Sequence, residues 1–152
     1  MTSFSIQRGI CPCSASGYWR TNQREPREAD QVGDYIEFIP HSGACLATTN
    51  VMDRRGLVRW MVRVPPTGGA DNGWQISSHI DTTEYLRDKS SWRIVAFNDV
   101  CNIEPALVGI YNFPVGSDLQ IVRDERGISI YDTPTGRQIP SEEFYVPPQF
   151  RG

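Results

Sequence analysis

The alternation of apolar and polar side chains between residues 34 and 133 is typical of short β-strands. The clearest example is LVRWMVRV (57–64), where a period of two places Arg59 and Arg63 on one face and apolar residues on the other. A strand of this kind is expected to bury one face and leave the other in solvent. The side chains expected on the inner face are Val58, Trp60, Val62 and Val64.

Six further segments show the strand pattern, separated by turn-forming residues. The stretch 67–73 is rich in residues that accept a positive φ, and it predicts a turn before a strand whose inner face carries Trp74 and Ile76. The four residues 124–127 predict a hairpin between the last two strands. The predicted strands are DYIEFI (34–39), ACLATT (44–49), LVRWMVRV (57–64), GWQISS (73–78), WRIVAF (92–97), DLQIVRD (118–124) and GISIYDT (127–133).

Two segments predict short helices. Residues 81–88 begin with Asp81 as N-cap and carry Glu84 three positions later, which is the capping-box spacing. Residues 102–109 place Pro105 in a first helical turn, with Gly109 at the end. Many short strands and two or more short helices predict an α+β fold, a single compact domain with a largely antiparallel sheet.

The composition divides the chain into a central domain and two flanks. Residues 1–33 mix Pro, Gly, Ser and alternating charges without an apolar stripe, and this predicts an irregular leader that Tyr18 and Trp19 could pin to the body. Residues 34–140 form the predicted α+β domain. Residues 141–152 are Pro-rich and predict an extended tail.

Size, hydropathy and charge narrow the functional classes. A chain of 152 residues with 39% hydrophobic and 22% charged residues fits one water-soluble domain. The net charge of −3 offers no basic field for a phosphate backbone, so nucleic acid is not expected as a ligand. No apolar run is long enough to span a bilayer and the first residues lack a secretion signal, which predicts a cytoplasmic protein without membrane contact.

The four cysteines are too few and too scattered for the disulfide framework of a small secreted domain. Reduced thiols are therefore expected at Cys45 and Cys101. Cys11 and Cys13 could bind a metal or form a disulfide, but the second ligand pair of a zinc site is missing. We predict no bound metal and no cofactor.

The sequence contains none of the common phosphate-binding, dinucleotide-binding, zinc-protease or serine-hydrolase motifs. A catalytic set could be assembled only from His79 with Asp81 or Cys101. Side chains that are neighbours on a strand point to opposite faces, so His79 is expected to be an exposed or cap-bonded histidine at the strand–helix junction. No cationic residue or histidine lies near Cys101 in the sequence to lower the pKa of its thiol, so Cys101 is expected to be a buried structural thiol. The chain is therefore not expected to be an enzyme.

Three short motifs resemble one bacterial family. They are the Asp71-Asn72-Gly73-Trp74 segment, the Asn102 to Pro105 segment and the Pro114-Val115-Gly116-Ser117 turn. In this order and spacing they resemble the immunity protein thirty-three domain, over roughly residues 44–128. The chain departs from the family pattern at Ser78-His79-Ile80, where glycine and two acidic residues are usual.

The resemblance implies a cytosolic protein that inhibits a polymorphic toxin stoichiometrically by blocking the active site of that toxin. The toxin is expected to be the product of a neighbouring gene. A nuclease delivered by a secretion system is one such toxin. Acidic and aromatic residues from Asp71 to Tyr85, with two more in later segments, are the expected contacts. A small-ligand or regulatory module on the same scaffold is the alternative, and the oligomeric state stays open. The expected partner-binding residues are Asp71, Trp74, His79, Asp81, Glu84, Tyr85, Asp99 and Tyr111.

Overall fold

The computed structural model describes residues 35–151. Its centre is a six-stranded sheet in the order β4-β1-β3-β2-β5-β6. Every neighbouring pair is antiparallel except β1 and β3, which run parallel. The strands are β1 (Ala44–Thr48), β2 (Val58–Arg63), β3 (Asp71–Ser78), β4 (Trp92–Ala96), β5 (Asp118–Asp124) and β6 (Gly127–Asp132).

Short helices lie between the strands and after the last one. Among residues 35–151, three are α-helical: α1 (Thr49–Met52), α2 (Thr83–Arg87) and α3 (Phe97–Ile103). The segments Lys89–Ser91, Pro105–Ile110, Ser141–Glu143 and Pro148–Phe150 form 3-10 helices. The predicted α+β class, with one compact domain and a largely antiparallel sheet, is confirmed.

The sheet buries apolar side chains on both faces. The larger core lies between one face and the helices α1, α3 and Pro105–Ile110, and it contains the predicted inward residues Trp74 and Ile76. A smaller cluster on the other face joins Leu86 of α2 to three sheet residues. These sheet residues are Leu46, Trp92 and Ile94.

The strand predicted at 34–39 is not formed, because side chains of α3 take the place of a neighbouring strand. The amide of Asn102 accepts a hydrogen bond from the backbone N–H of Ile36 (3.0 Å) and donates one to its carbonyl (2.8 Å). Asn98 makes the same pair of bonds with Ile39, at 3.1 and 2.9 Å. Backbone groups that are satisfied in this way need no ladder of their own.

A β-bulge changes the inner face predicted for the second strand. The register of β2 against β3 shifts between Val58 and Trp60, so an extra residue enters the strand there. Met61 occupies the core beside Val58, and the predicted inward position of Trp60 is wrong. The Trp60 ring lies half-buried on the opposite face, where the Arg59 guanidinium stacks 4.9 Å from its centroid.

Both helix predictions need correction at their boundaries. The N-cap of α2 is Thr82, whose hydroxyl accepts from the Tyr85 N–H (3.1 Å), because the Asp81 carboxylate is already engaged elsewhere. The helix predicted at 102–109 is divided: α3 ends at Ile103, and a 3-10 helix follows whose N-cap is Glu104. Gly109 lies inside that 3-10 helix and does not end it.

The C-terminal residues are less extended than predicted. They form two 3-10 turns, and Phe144 and Tyr145 pack against the larger core. The irregular leader predicted for residues 1–33, with Tyr18 and Trp19, lies outside the described residues, as do Cys11 and Cys13.

Candidate partner-binding surface

The eight residues expected to contact a partner do not form one surface. They fall into three groups, at the two ends of β3 and on α3. The first group, at the end where β3 leads into α2, is His79, Asp81, Glu84 and Tyr85; the second, at the other end, is Asp71, Trp74 and Tyr111; the third is Asp99.

The second group is a structural unit. The Trp74 side chain is fully buried and its indole N–H donates to the Tyr111 carbonyl (3.1 Å). The Arg63 guanidinium lies over the indole, 5.7 Å from its centroid, and donates to the carbonyls of Asn72 (2.8 Å) and Phe113 (2.7 Å). A partner protein cannot reach this indole without opening the core.

The remaining members of the second and third groups are also engaged within the fold. The Asp71 carboxylate accepts from the backbone N–H of Thr67 and of Gly73, both at 2.8 Å, and so fixes the turn before β3. The Asp99 carboxylate accepts from the Tyr35 hydroxyl (2.7 Å). Burial is the largest cause that raises the pKa of Tyr35 above its ordinary value, and this hydrogen bond is the second. The phenol therefore keeps its proton.

Tyr111 is held by its ring as well as by its carbonyl. The ring packs in tilted contacts against Phe97 and Tyr145, with centroids 5.5 and 5.3 Å apart. Burial is the main cause that raises the pKa of the Tyr111 phenol. Since the ring is partly covered from two sides, it supports the core and offers little area to a partner.

Asp81 ties three chain segments together at the end of β3. One carboxylate oxygen accepts from the Thr48 hydroxyl (2.8 Å) and the Ser78 N–H (2.7 Å), and the other accepts from the Asn50 side-chain amide (2.7 Å). Thr48 ends β1 and Asn50 lies in α1. The predicted contact residue is thus also the junction that holds the loop after β3 in place.

His79 lies exposed in that loop, as the sequence predicts. The imidazole Nδ1 accepts from the backbone N–H of Leu57 (3.1 Å), and the backbone N–H of His79 donates to the Leu57 carbonyl (3.0 Å). These two bonds join the segment before β2 to the segment after β3. The imidazole therefore stands in a fixed position at this end of the sheet.

Two exposed apolar residues beside His79 were missed by sequence reasoning. Leu57 is 56% exposed and Ile80 is 45% exposed. Leu57 is the first residue of a predicted strand and Ile80 directly precedes a predicted helix, and at such positions orientation cannot be read from periodicity. We refer to Leu57, His79, Ile80, Glu84 and Tyr85 as the β3–α2 surface.

The geometry gives no support to a catalytic set. In the part of the chain that the structure describes, no hydrogen bond joins His79 to Asp81 or to Cys101. Cys101 is buried in α3, and burial raises the pKa of its thiol, which disfavours the nucleophilic thiolate. Within residues 35–151 no three His, Cys, Asp or Glu side chains lie close enough to share a metal ion.

The motifs that carry the family resemblance build the fold. Gly73 adopts φ +90°, and Gly116, at φ +101°, donates its N–H to the Arg63 carbonyl (2.7 Å). Glu104 forms an ion pair with Arg123 (2.6 Å). These motif residues make contacts within the fold. Residues that distinguish one partner from another are therefore expected at other, exposed positions.

Comparison with known proteins identifies one family. The family model described as the Immunity protein Imm33 domain matches residues 45–131, which is more than half of the chain. Neither the curated proteins nor the solved structures include a significant match. Among the described residues, none of the helices has the length and apolar character needed to cross a membrane.

Proposed function

The chain belongs to the Imm33 immunity protein family, and on that premise we propose that it binds a cognate bacterial toxin stoichiometrically and blocks the active site of that toxin. The match over residues 45–131 carries the proposal. The toxin is the product of a neighbouring gene and the complex forms in the cytoplasm. The protein acts as a binder and not as an enzyme.

The test is neutralisation of a toxin by this chain. Each neighbouring gene product is expressed alone and together with the tagged chain, and the complexes are purified through a high-salt wash. We expect one product that arrests growth when expressed alone, permits growth beside this chain and elutes with it at about a 1:1 ratio. If every neighbouring product is harmless, or if the toxic one kills equally well in the presence of this chain, the proposal is wrong.

We propose the β3–α2 surface as a contact for the toxin. Exposed apolar residues beside a fixed histidine and an acidic residue resemble the apolar centre and polar rim of protein interfaces. Leu57 and Ile80 supply the apolar area, and Glu84 is exposed in the first turn of α2. Asp81 supports this surface from within, whereas Trp74 and Tyr111 stabilise the core towards the other end of β3.

Substitutions on this surface are expected to weaken toxin binding. Ile80→Asp removes an exposed apolar side chain and adds a charge, and Glu84→Lys reverses a charge; each should raise the Kd by about tenfold or more. Titration calorimetry with the purified toxin measures the Kd values.

Two substitutions elsewhere on the surface serve as matched controls. Val115, 48% exposed in the turn before β5, is replaced by Asp, and the exposed Glu37 is replaced by Lys. Both should change the Kd by less than about twofold. Equal weakening by the test and control variants would show that net charge, and not the β3–α2 surface, governs binding.

A further inference from the structure

Residues 35–151 cover the outer edge of β6 along only part of its length. The Ile139 N–H donates to the Ile130 carbonyl and the Asp132 N–H donates to the Arg137 carbonyl, both at 2.8 Å. These two bonds lie on the side of β6 that faces away from β5. The segment 137–139 therefore closes the second half of the strand edge.

The first half of the same edge is left open by residues 35–151. Backbone groups of alternate residues in a strand point to the same side, so the N–H and carbonyl of Ile128 and the N–H of Ile130 also face away from β5. The two-residue hairpin loop between Asp124 and Gly127 gives the same assignment, because Gly127 then pairs inward. Within residues 35–151, these three groups have no backbone hydrogen-bond partner.

A groove runs beside this open edge. It has a volume of about 630 Å³ and lies between β6, the 3-10 helix Pro105–Ile110 and the C-terminal segment near Phe144. None of the residues that line it carries a charge. Ile128 borders the groove and is 44% exposed.

The edge and the groove lie at the same end of the sheet as the β3–α2 surface. Ile128 is opposite Arg123 in β5, and the Arg123 guanidinium donates to the Val58 carbonyl (2.8 Å), next to Leu57. One partner can therefore contact Leu57 and the open edge of β6 together.

We propose that the open edge of β6 receives an extended segment of the toxin as a seventh strand, with an uncharged side chain of that segment in the adjoining groove. The inference rests on the proposed function. Unpaired strand groups are complemented by another extended backbone, which supplies the alternating donors and acceptors at the required spacing. The uncharged lining excludes a charged side chain from the groove, because burial there would leave the charge without a partner.

The experiment uses the full chain and the toxic protein recovered in the neutralisation test. Ile128→Asp is compared with Val115→Asp, which changes a similarly exposed residue at the other end of the sheet. We expect Ile128→Asp to raise the Kd for the toxin at least about tenfold and Val115→Asp less than about twofold. Melting curves confirm that both variants are folded.

Hydrogen exchange of the wild-type chain provides a readout that needs no substitution. The amides of Ile128 and Ile130 should exchange at least about tenfold more slowly in the toxin complex than in the free chain. If the toxin is neutralised but these amides exchange at an unchanged rate, or Ile128→Asp binds normally, the seventh strand is wrong and the proposed function stands.

Two other results would also overturn the inference. Slow exchange of these amides in the free chain, together with a dimer in light scattering, would show that a second copy of this chain occupies the edge. Failure of the wild-type chain to neutralise any neighbouring product would remove the proposed function and the seventh strand with it.

Discussion

Replacing Gly73 with alanine is expected to lower the free energy of unfolding by at least about 3 kcal/mol. Gly73 adopts φ +90°, a conformation that L residues rarely adopt, and a Cβ at this position would lie 2.2 Å from the Val64 carbonyl oxygen. Because this oxygen belongs to the backbone, it cannot avoid the Cβ by a change of side-chain rotamer. The two strands would have to separate where the Val64 N–H donates to the Gly73 carbonyl (2.9 Å).

Gly68→Ala is the matched control for this substitution. Gly68 lies in the same turn region, and a Cβ there would meet no atom within 4 Å. We expect its stability to stay within about 1 kcal/mol of the wild type, on the stabilising side, because alanine restricts the unfolded chain. Urea denaturation measures both variants. A Gly73→Ala protein as stable as the wild type would contradict the close approach of β2 and β3.

Asp81→Ala is expected to destabilise the protein by about 2–4 kcal/mol. The substitution removes the acceptor of three hydrogen bonds and leaves the Ser78 N–H and the buried Thr48 hydroxyl without it. Bonds to a charged acceptor are stronger than neutral ones, and a buried donor left unpaired carries a desolvation cost. Asp81→Asn, which keeps the shape and loses one acceptor oxygen, should have about half the effect.

Glu84→Ala distinguishes a structural from a contact role at this end of the sheet. Glu84 is exposed, so its removal should change the free energy of unfolding by less than about 0.5 kcal/mol. The Asp81→Ala and Glu84→Ala proteins are then titrated with toxin at a temperature where each is folded. An Asp81→Ala protein that keeps wild-type stability and loses toxin binding would show that Asp81 touches the toxin directly and has no structural role.

Local sequence patterns were sufficient to predict an element where interactions within that segment determine its structure. The six strands of the sheet were each predicted, because apolar residues at alternate positions share one face of a strand. The hairpin between β5 and β6 followed from its short polar turn. Burial of Trp74 and Ile76 followed from the same period of two.

Patterns failed where a distant segment changed the local outcome. The alternation in 34–39 indicated a strand, but Asn98 and Asn102 from α3 satisfy its backbone instead. The bulge in β2 depends on the register against β3, which the sequence of β2 does not contain. Helix α3 was missed because its N-cap, Ala96, makes no side-chain capping bond that a sequence could reveal.

The candidate site shows the same division. Sequence alone determined the fold class, the strands and, through its motifs, the family to which the chain belongs. Only the tertiary structure showed that Asp71, Trp74 and Asp81 are committed to internal contacts, and that Leu57 and Ile80 are exposed together. The residue type of an aspartate or a tryptophan is the same whether its side chain supports the core or faces a partner. Which of these roles it has depends on the remote chain segments that surround it.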